Sequence, residues 1–127
     1  MFYSLTGKII KKGEQFIAIS CGGVAFKCLT TRNSISQLSL MGDQVTVYTH
    51  LNVREDSLDL FGFSSEDELD CFKLLITVSG VGPKAALSIL SELSPDELAI
   101  SISSGDLKSP TFLALVIDSI SFSALEI

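Results

Sequence analysis

The residues best suited to chemistry lie in one short stretch, Val78 to Ala86. In this stretch two glycines flank a single valine, and a proline and then a lysine come after the second glycine. Glycine adopts backbone angles that other residues avoid, so Gly80-Val81-Gly82 predicts a tight turn. Pro83 suits the first position of a helix, because it has no N–H to lose there. A helix that begins in this way presents unpaired backbone N–H groups, and Lys84 adds a positive charge. The stretch therefore predicts a binding site for an anion such as a phosphate.

The wider pattern around this turn is typical of a helix-hairpin-helix. Apolar residues precede and follow the glycines, and Ala86 lies four positions beyond the second glycine, where a small side chain lets two helices pack closely. The glycines would let the backbone approach a phosphate, and contacts to phosphates position DNA without reading its sequence. The pattern favours DNA binding, and a purely structural helical hairpin is the alternative.

Other polar motifs indicate no catalytic centre. Arg54-Glu55-Asp56 is by itself typical of a solvated charged turn, and His50 lies inside a strand pattern with no second metal ligand nearby. Cys21, Cys28 and Cys71 form no CxxC pair, which favours small buried side chains in a reducing compartment. No nucleophile–base set and no phosphate-binding GxxxxGK[ST] loop is present. We therefore expect no enzyme activity, no metal and no cofactor.

Composition limits how the chain could hold nucleic acid. The 127 residues are 46% hydrophobic, enough for a core in one or two domains, and the formal net charge is −6. This acidic balance argues against a simple electrostatic grip on DNA, so binding would depend on a local surface and on backbone amides. No run is long enough to span a bilayer and the N-terminus lacks a signal-peptide pattern, so we expect a cytoplasmic protein without membrane contact.

The first half of the chain predicts five short strands. They alternate or are rich in β-branched and aromatic residues, and glycine-containing turns at 11–13 and 21–23 separate the first three. A longer connection, Thr30 to Leu40, precedes the fourth strand. This arrangement favours a small closed barrel of OB type, although another small barrel would show the same pattern. The predicted strands are Tyr3–Ile10, Gln15–Ser20, Val24–Leu29, Val45–Val53 and Leu58–Phe63.

The period then changes to that of helices, at about Gly62 to Ser65. Ser65 and Glu68 have the spacing of a capping box, and Leu69, Phe72 and Ile76 share one helical face. Further helix starts are predicted at Ser94–Glu97 and at Ser109–Pro110. We therefore predict two domains, a five-stranded barrel over 1–63 and a small helical domain over 64–127 that carries the helix-hairpin-helix.

Several short motifs in order along residues 1–108 resemble the RuvA family, the DNA-binding subunit of the bacterial Holliday junction branch-migration complex. The motifs are Leu5-Thr6-Gly7, Gly22-Gly23-Val24, Tyr48-Thr49-His50, Val53-Arg54-Glu55-Asp56, Leu60-Phe61-Gly62-Phe63 and Ser79-Gly80-Val81-Gly82-Pro83-Lys84. The resemblance implies an OB barrel, a middle domain with two helix-hairpin-helix motifs and a mobile third domain. It also implies a homotetramer, single or stacked in pairs, that holds a four-way junction open for the RuvB ATPase and the RuvC nuclease.

Positions carried over from the family assign two sets of site residues. Phosphates of a duplex arm would be held by the first hairpin, at Ser79, Gly80, Val81, Gly82 and Lys84. Glu55 and Asp56 match an acidic pin at the centre of the DNA face, where carboxylates would repel phosphates and guide the exchanging strands.

The resemblance ends at Lys108. The family would continue into a second glycine hairpin, but this chain reads Ser109-Pro110-Thr111-Phe112 and has no glycine beyond Gly105. The tail 109–127 is thus atypical. The third domain, which docks the ATPase in the family, has no recognisable counterpart, so we do not expect coupling to RuvB from the chain as written.

Two other functions stay open at this point. One is a degenerate or truncated scaffold protein that assembles but binds DNA weakly, which the acidic balance and the missing second hairpin favour. The other is a single-strand-binding OB module, whose aromatic residues would stack on bases. Its candidates, Tyr3, Phe16, Phe26 and Tyr48, are equally plausible as core residues.

Overall fold

The computed structural model describes residues 2–39 and 44–92. These residues form five strands and three helices, and the strands precede the last two helices. The elements are β1 (Ser4–Lys12), β2 (Phe16–Cys21), β3 (Val24–Leu29), α1 (Arg32–Ser39), β4 (Gln44–Val53), β5 (Leu58–Phe63), α2 (Glu66–Ile76) and α3 (Pro83–Glu92).

The five strands close into a barrel in the order β1-β2-β3-β5-β4. All neighbouring strands are antiparallel except β3 and β5, which are parallel and meet at Leu29 and Phe61. Helix α1 connects β3 to β4. This order is that of the five-stranded Greek-key OB barrel. The predicted closed barrel followed by helices is confirmed.

Apolar side chains at every second position of the strands point inward and fill the barrel interior. On β2, Ile17 and Ile19 are fully buried while Ala18 between them points outward, because successive side chains of a strand face opposite sides. Similarly, Val45 and Val47 of β4 point inward. Helix α1 adds Leu38 to the same cluster. The buried members of this core are Leu5, Ile17, Ile19, Cys28, Leu38, Val45 and Val47.

The first hairpin differs from the prediction. Lys11 and Lys12 were expected in a turn, but both belong to β1, which continues past an irregularity between Ile9 and Lys11. Such a bulge inserts one extra residue and lets the strand bend while it goes on pairing. The turn follows, and its Gly13 N–H donates to the Phe16 carbonyl at 2.8 Å.

The chain divides into two compact units, Met1–Leu69 and a second that begins at Asp70. The predicted domain boundary at residues 63 and 64 stays a prediction. The helix starts predicted at Ser94 and Ser109, and the atypical tail 109–127, lie outside the described residues.

A buried polar network lies at the start of α2. The Ser65 hydroxyl caps the helix by accepting from the Glu68 N–H at 3.2 Å, as the capping box predicts. The Glu68 carboxylate, only 3% exposed, accepts instead from the Thr31 hydroxyl. That hydroxyl also caps α1, because it accepts from the Ser34 N–H at 3.0 Å. One carboxylate thus joins the starts of α1 and α2, both of which lie in the first unit.

Burial changes the titration of this carboxylate. Desolvation raises the pKa of Glu68, and hydrogen bonds from Thr31 and Ser34 partly oppose the rise. The folded chain therefore holds this proton more tightly than the unfolded chain does. The stability that Glu68 contributes is fully present below its unfolded pKa and is lost as the pH rises through the raised folded pKa.

Glu68→Gln should therefore raise the free energy of unfolding at pH 7.5 and weaken its decline above about pH 4.3, the unfolded pKa of a glutamate. The amide oxygen would still accept from Thr31, and no charge would be buried. Urea titrations at pH 4.5 and 7.5 measure both effects. Asp67→Asn, an exposed change in the same turn, serves as the control and should lose about 0.3–1 kcal/mol through the helix dipole. A Glu68→Gln variant less stable than the wild type at pH 7.5 would contradict the assignment.

Candidate nucleic-acid interface

The segment between α2 and α3 is a tight turn held by its own backbone. The Val81 N–H donates to the Val78 carbonyl at 3.1 Å, and the Ala86 N–H donates to the Gly82 carbonyl at 3.0 Å. The second bond begins α3, whose first residue is Pro83. The predicted helix, glycine turn and helix are thus observed, with the proline at the predicted position.

The two glycines serve different purposes. Gly80 has a φ of +88°, a backbone angle that strains any side chain, whereas Gly82 has no positive φ. Only Gly80 uses the backbone freedom that the sequence pattern allows to both glycines. A Cβ atom built at Gly82 would meet nothing within 4 Å. The fold itself does not require a glycine there, and the space beside its Cα is open to a ligand.

The turn separates a buried side from an exposed one. Val81 and Ala86 are buried, as are Leu87, Ile89 and Leu90 along α3. Ser79, Gly80, Gly82 and Lys84 are exposed. Since the Val81 side chain is packed and its N–H is already bonded, Val81 shapes the turn, and its exposed neighbours are the groups that a ligand would meet.

The exposed side offers hydrogen-bond donors. The backbone N–H groups of Gly80, Gly82 and Lys84 have no acceptor among the described residues. They lie at the N-terminus of α3, where the helix dipole places partial positive charge. Unpaired donors, a positive helix end and the Lys84 ammonium together fit an anion such as a phosphate.

The β4–β5 turn carries the second candidate feature. The Arg54 N–H donates to the Ser57 carbonyl at 2.9 Å and closes a four-residue turn. Glu55 and Asp56 at its tip are exposed, and within the described part of the chain neither carboxylate has a hydrogen bond or an ion pair. Two free carboxylates thus project from the end of the barrel.

An apolar pair lies directly below this acidic tip. Val53 and Leu58 are cross-strand partners and are 68% and 67% exposed. The sequence assigned both to strands but gave no signal of their exposure, which arises because they lie at the tip of the hairpin, beyond the last buried residues of β4 and β5. The acidic turn therefore stands on an apolar base.

The remaining candidates show no site chemistry. Among the described residues, no group of histidine, cysteine and carboxylate side chains has the arrangement that would hold a metal ion. The three cysteines are free thiols, and burial raises the pKa of Cys28 to about 12, with a smaller contribution from Cys21. None of the described helices has the length and apolar content needed to cross a membrane.

The contrast between the glycines predicts unequal effects of substitution on stability. Gly80→Ala should lower the free energy of unfolding by about 1–2 kcal/mol, because alanine resists a positive φ. Gly82→Asn should change it by less than about 0.5 kcal/mol, because asparagine caps helices at least as well as glycine. Urea titration of both variants measures the difference. Equal losses would contradict the observed turn geometry.

Comparison with known proteins gives one family. The sequence model of the RuvA N-terminal domain matches residues 1–62. Three similar proteins are all named Holliday junction branch migration complex subunit RuvA. The relative from Acetivibrio thermocellus is 41% identical over 87% of this chain and 55% of its own length. Those from Dehalococcoides mccartyi and Corynebacterium jeikeium are 42% and 45% identical over 84% and 86% of this chain, and 55% and 51% of their own lengths. The chain thus spans about half the length of the relatives it matches.

Proposed function

The chain belongs to the RuvA family, and we propose that it is a non-catalytic subunit that binds four-way Holliday junctions by their shape and phosphate geometry. The observation that carries this proposal is the α2–α3 turn, which combines unpaired N–H groups, the exposed Lys84 and open space beside Gly82. The names of the relatives support the same function, since each is a subunit of a branch migration complex.

The α2–α3 turn grips DNA by contacts that act at short range. Backbone N–H groups bond a phosphate only at hydrogen-bond distance, where the direction of the donor matters. The repulsion between DNA and a chain of net charge −6 acts over longer distances and is screened beyond about 8 Å in physiological salt. The contact is therefore local, and since phosphates carry no sequence information, it is independent of base sequence.

The acidic tip at Glu55 and Asp56 acts in the opposite sense. Two exposed carboxylates repel any phosphate that comes within a Debye length. A continuous duplex would bring phosphates to this tip, whereas the open centre of a junction would leave room for it. The tip therefore favours a junction over a duplex and keeps the exchanging strands apart.

The partners follow from the geometry of the substrate and from the family. A junction has four arms, so a homotetramer with four-fold symmetry would offer one α2–α3 turn to each arm. The family further implies the RuvB motor, which drives branch migration with ATP, and the RuvC nuclease, in recombination and DNA repair in the cytoplasm. The alternative is a scaffold that assembles but binds DNA weakly. The net charge favours it, and the exposed donors of the turn oppose it.

A direct test is the affinity of the protein for a synthetic four-way junction. We expect the junction to be bound at least tenfold more tightly than a linear duplex of the same sequence in a mobility-shift titration at moderate salt. Equal dissociation constants for the two substrates would refute junction recognition. Absence of binding to either substrate by a folded, assembled protein would instead favour the scaffold.

The role of the turn is tested by a matched pair at Gly82. Asparagine and aspartate have nearly the same size and cap helices equally well, so both variants should fold. Gly82→Asp places a carboxylate where a phosphate would bind, and we expect it to weaken junction binding by tenfold or more relative to Gly82→Asn. Similar affinities in the two variants would show that no phosphate approaches this turn.

The role of the acidic tip is tested by the double variant Glu55→Gln with Asp56→Asn. Removing both charges abolishes the repulsion, so binding to linear duplex should tighten more than binding to the junction, and selectivity should fall. Both residues are exposed, so the melting temperature should not change. An unchanged ratio of the two dissociation constants would remove the tip from the mechanism.

A further inference from the structure

The charges of this chain are distributed unevenly. Residues 1–29 contain four lysines and a single glutamate, a formal charge of +3. Because the whole chain has a net charge of −6, the remaining residues together carry −9. These 29 residues include β1, β2 and β3. The acidic balance of the whole chain therefore conceals a basic part of the barrel.

Strand register gathers three of the four lysines on one surface. Lys11 pairs with Ala18 on β2, and Ala18 pairs with Lys27 on β3, so the three side chains form one row across the strands. Lys8 begins a second row, opposite Ser20 and then Ala25. On β2 and β3 the residues next to these rows, Ile17, Ile19 and Cys28, are buried, so both rows face outward. We call this surface the lysine face; it consists of Lys8, Lys11, Lys27, Ala18, Ser20 and Ala25.

The charged side chains of the lysine face are all cations. The single glutamate of these strands, Glu14, lies in the turn between β1 and β2. The fourth lysine, Lys12, donates to the Ser39 hydroxyl at 2.8 Å and does not belong to the face. Lys8, Lys11 and Lys27 are exposed. Ala18, Ser20 and Ala25 between the strands' lysines are small, and the bulge residue Ile10, next to Lys11, is 59% exposed.

The chemistry of the face favours nucleic acid over protein. Lysine is depleted in protein–protein interfaces, whose centres are apolar and aromatic, whereas exposed lysines with hydroxyl neighbours are typical of contacts to phosphates. The nearest aromatic ring, Phe16, is partly buried and is covered by the Lys27 ammonium 4.7 Å from its centroid. The ring is therefore not free to stack on a base, which favours the phosphate backbone of a duplex over an unstacked single strand.

We propose that the lysine face is a second DNA-contacting surface, which binds the phosphate backbone of a duplex through Lys8, Lys11 and Lys27. It is separate from the α2–α3 turn in sequence and in structural unit. The inference rests on the proposed function only in that its ligand is DNA. OB barrels of other proteins bind oligonucleotides on the surface of strands 2 and 3, and two of the three strands here are the same ones.

The test is the salt dependence of binding. Each phosphate neutralised by a cation contributes about −0.9 to the slope of log affinity against log salt on duplex DNA. The triple variant Lys8→Gln, Lys11→Gln and Lys27→Gln should therefore flatten the slope for a linear duplex, and for the arms of a junction, by about 2–3. The matched triple arginine variant keeps the charges and should retain the wild-type slope. Lys27→Gln also removes the contact with the Phe16 ring and could lower stability. Thermal melting of both triple variants therefore serves as the control that they are folded.

The outcomes separate this inference from the proposed function. The wild-type protein could prefer junctions while the triple glutamine variant keeps the wild-type salt slope. This result would refute DNA binding by the lysine face and leave the proposed function standing. A flattened slope in a protein without junction preference would support the face and refute the function. A single strand of matched length serves as the second substrate, and an effect confined to it would overturn the assignment to duplex.

Discussion

Closure of the barrel is the constraint on which the first unit depends. Four antiparallel pairs would leave β3 and β5 as open edges, and the parallel contact at Leu29 and Phe61 joins them. Closure pairs the two edges at this point and gives every strand an inner and an outer side. The inner sides form the core. The outer sides and the hairpin tips are left for function, and both the acidic tip and the lysine face lie there.

The proposed interfaces show how an acidic chain can bind a polyanion. The electrostatic repulsion between the acidic chain and DNA depends on net charge, acts over distances comparable to the Debye length and weakens in salt. The attraction comes from hydrogen bonds and ion pairs that a few donors and cations make with phosphates at contact distance. A protein of this kind would not attract DNA over long distances. On contact, it would discriminate between DNA molecules by the positions of their phosphates. The negative charge of such a protein would contribute to selectivity, because it would exclude DNA shapes that bring phosphates to the wrong surface.

Most of the fold followed from the sequence, and the details of the site did not. Alternating strands, the Ser65 cap and Pro83 are local signals, so they could be predicted. The extension of β1 through Lys11 and Lys12 depends on a bulge, and the partner of Glu68 lies 37 residues away. Both are properties of the tertiary structure. The sequence also treated Gly80 and Gly82 alike, because the sign of φ is set by the path of the chain. The lysine face required the strand register, which composition cannot supply.

The pairing of β1 with β4 has a consequence for synthesis of the chain. Thr6 and Thr46 share a hydrogen bond across that pair but are 40 residues apart. A ribosome adding roughly 5–20 residues per second would need roughly 2–8 seconds to supply the missing strand. During that interval the outer edge of β1 is unpaired, and unpaired edges invite association between nascent chains. Charged lysines on an edge discourage such association, so Lys8, which lies on the part of β1 that pairs with β4, would protect the growing polypeptide before any DNA is bound.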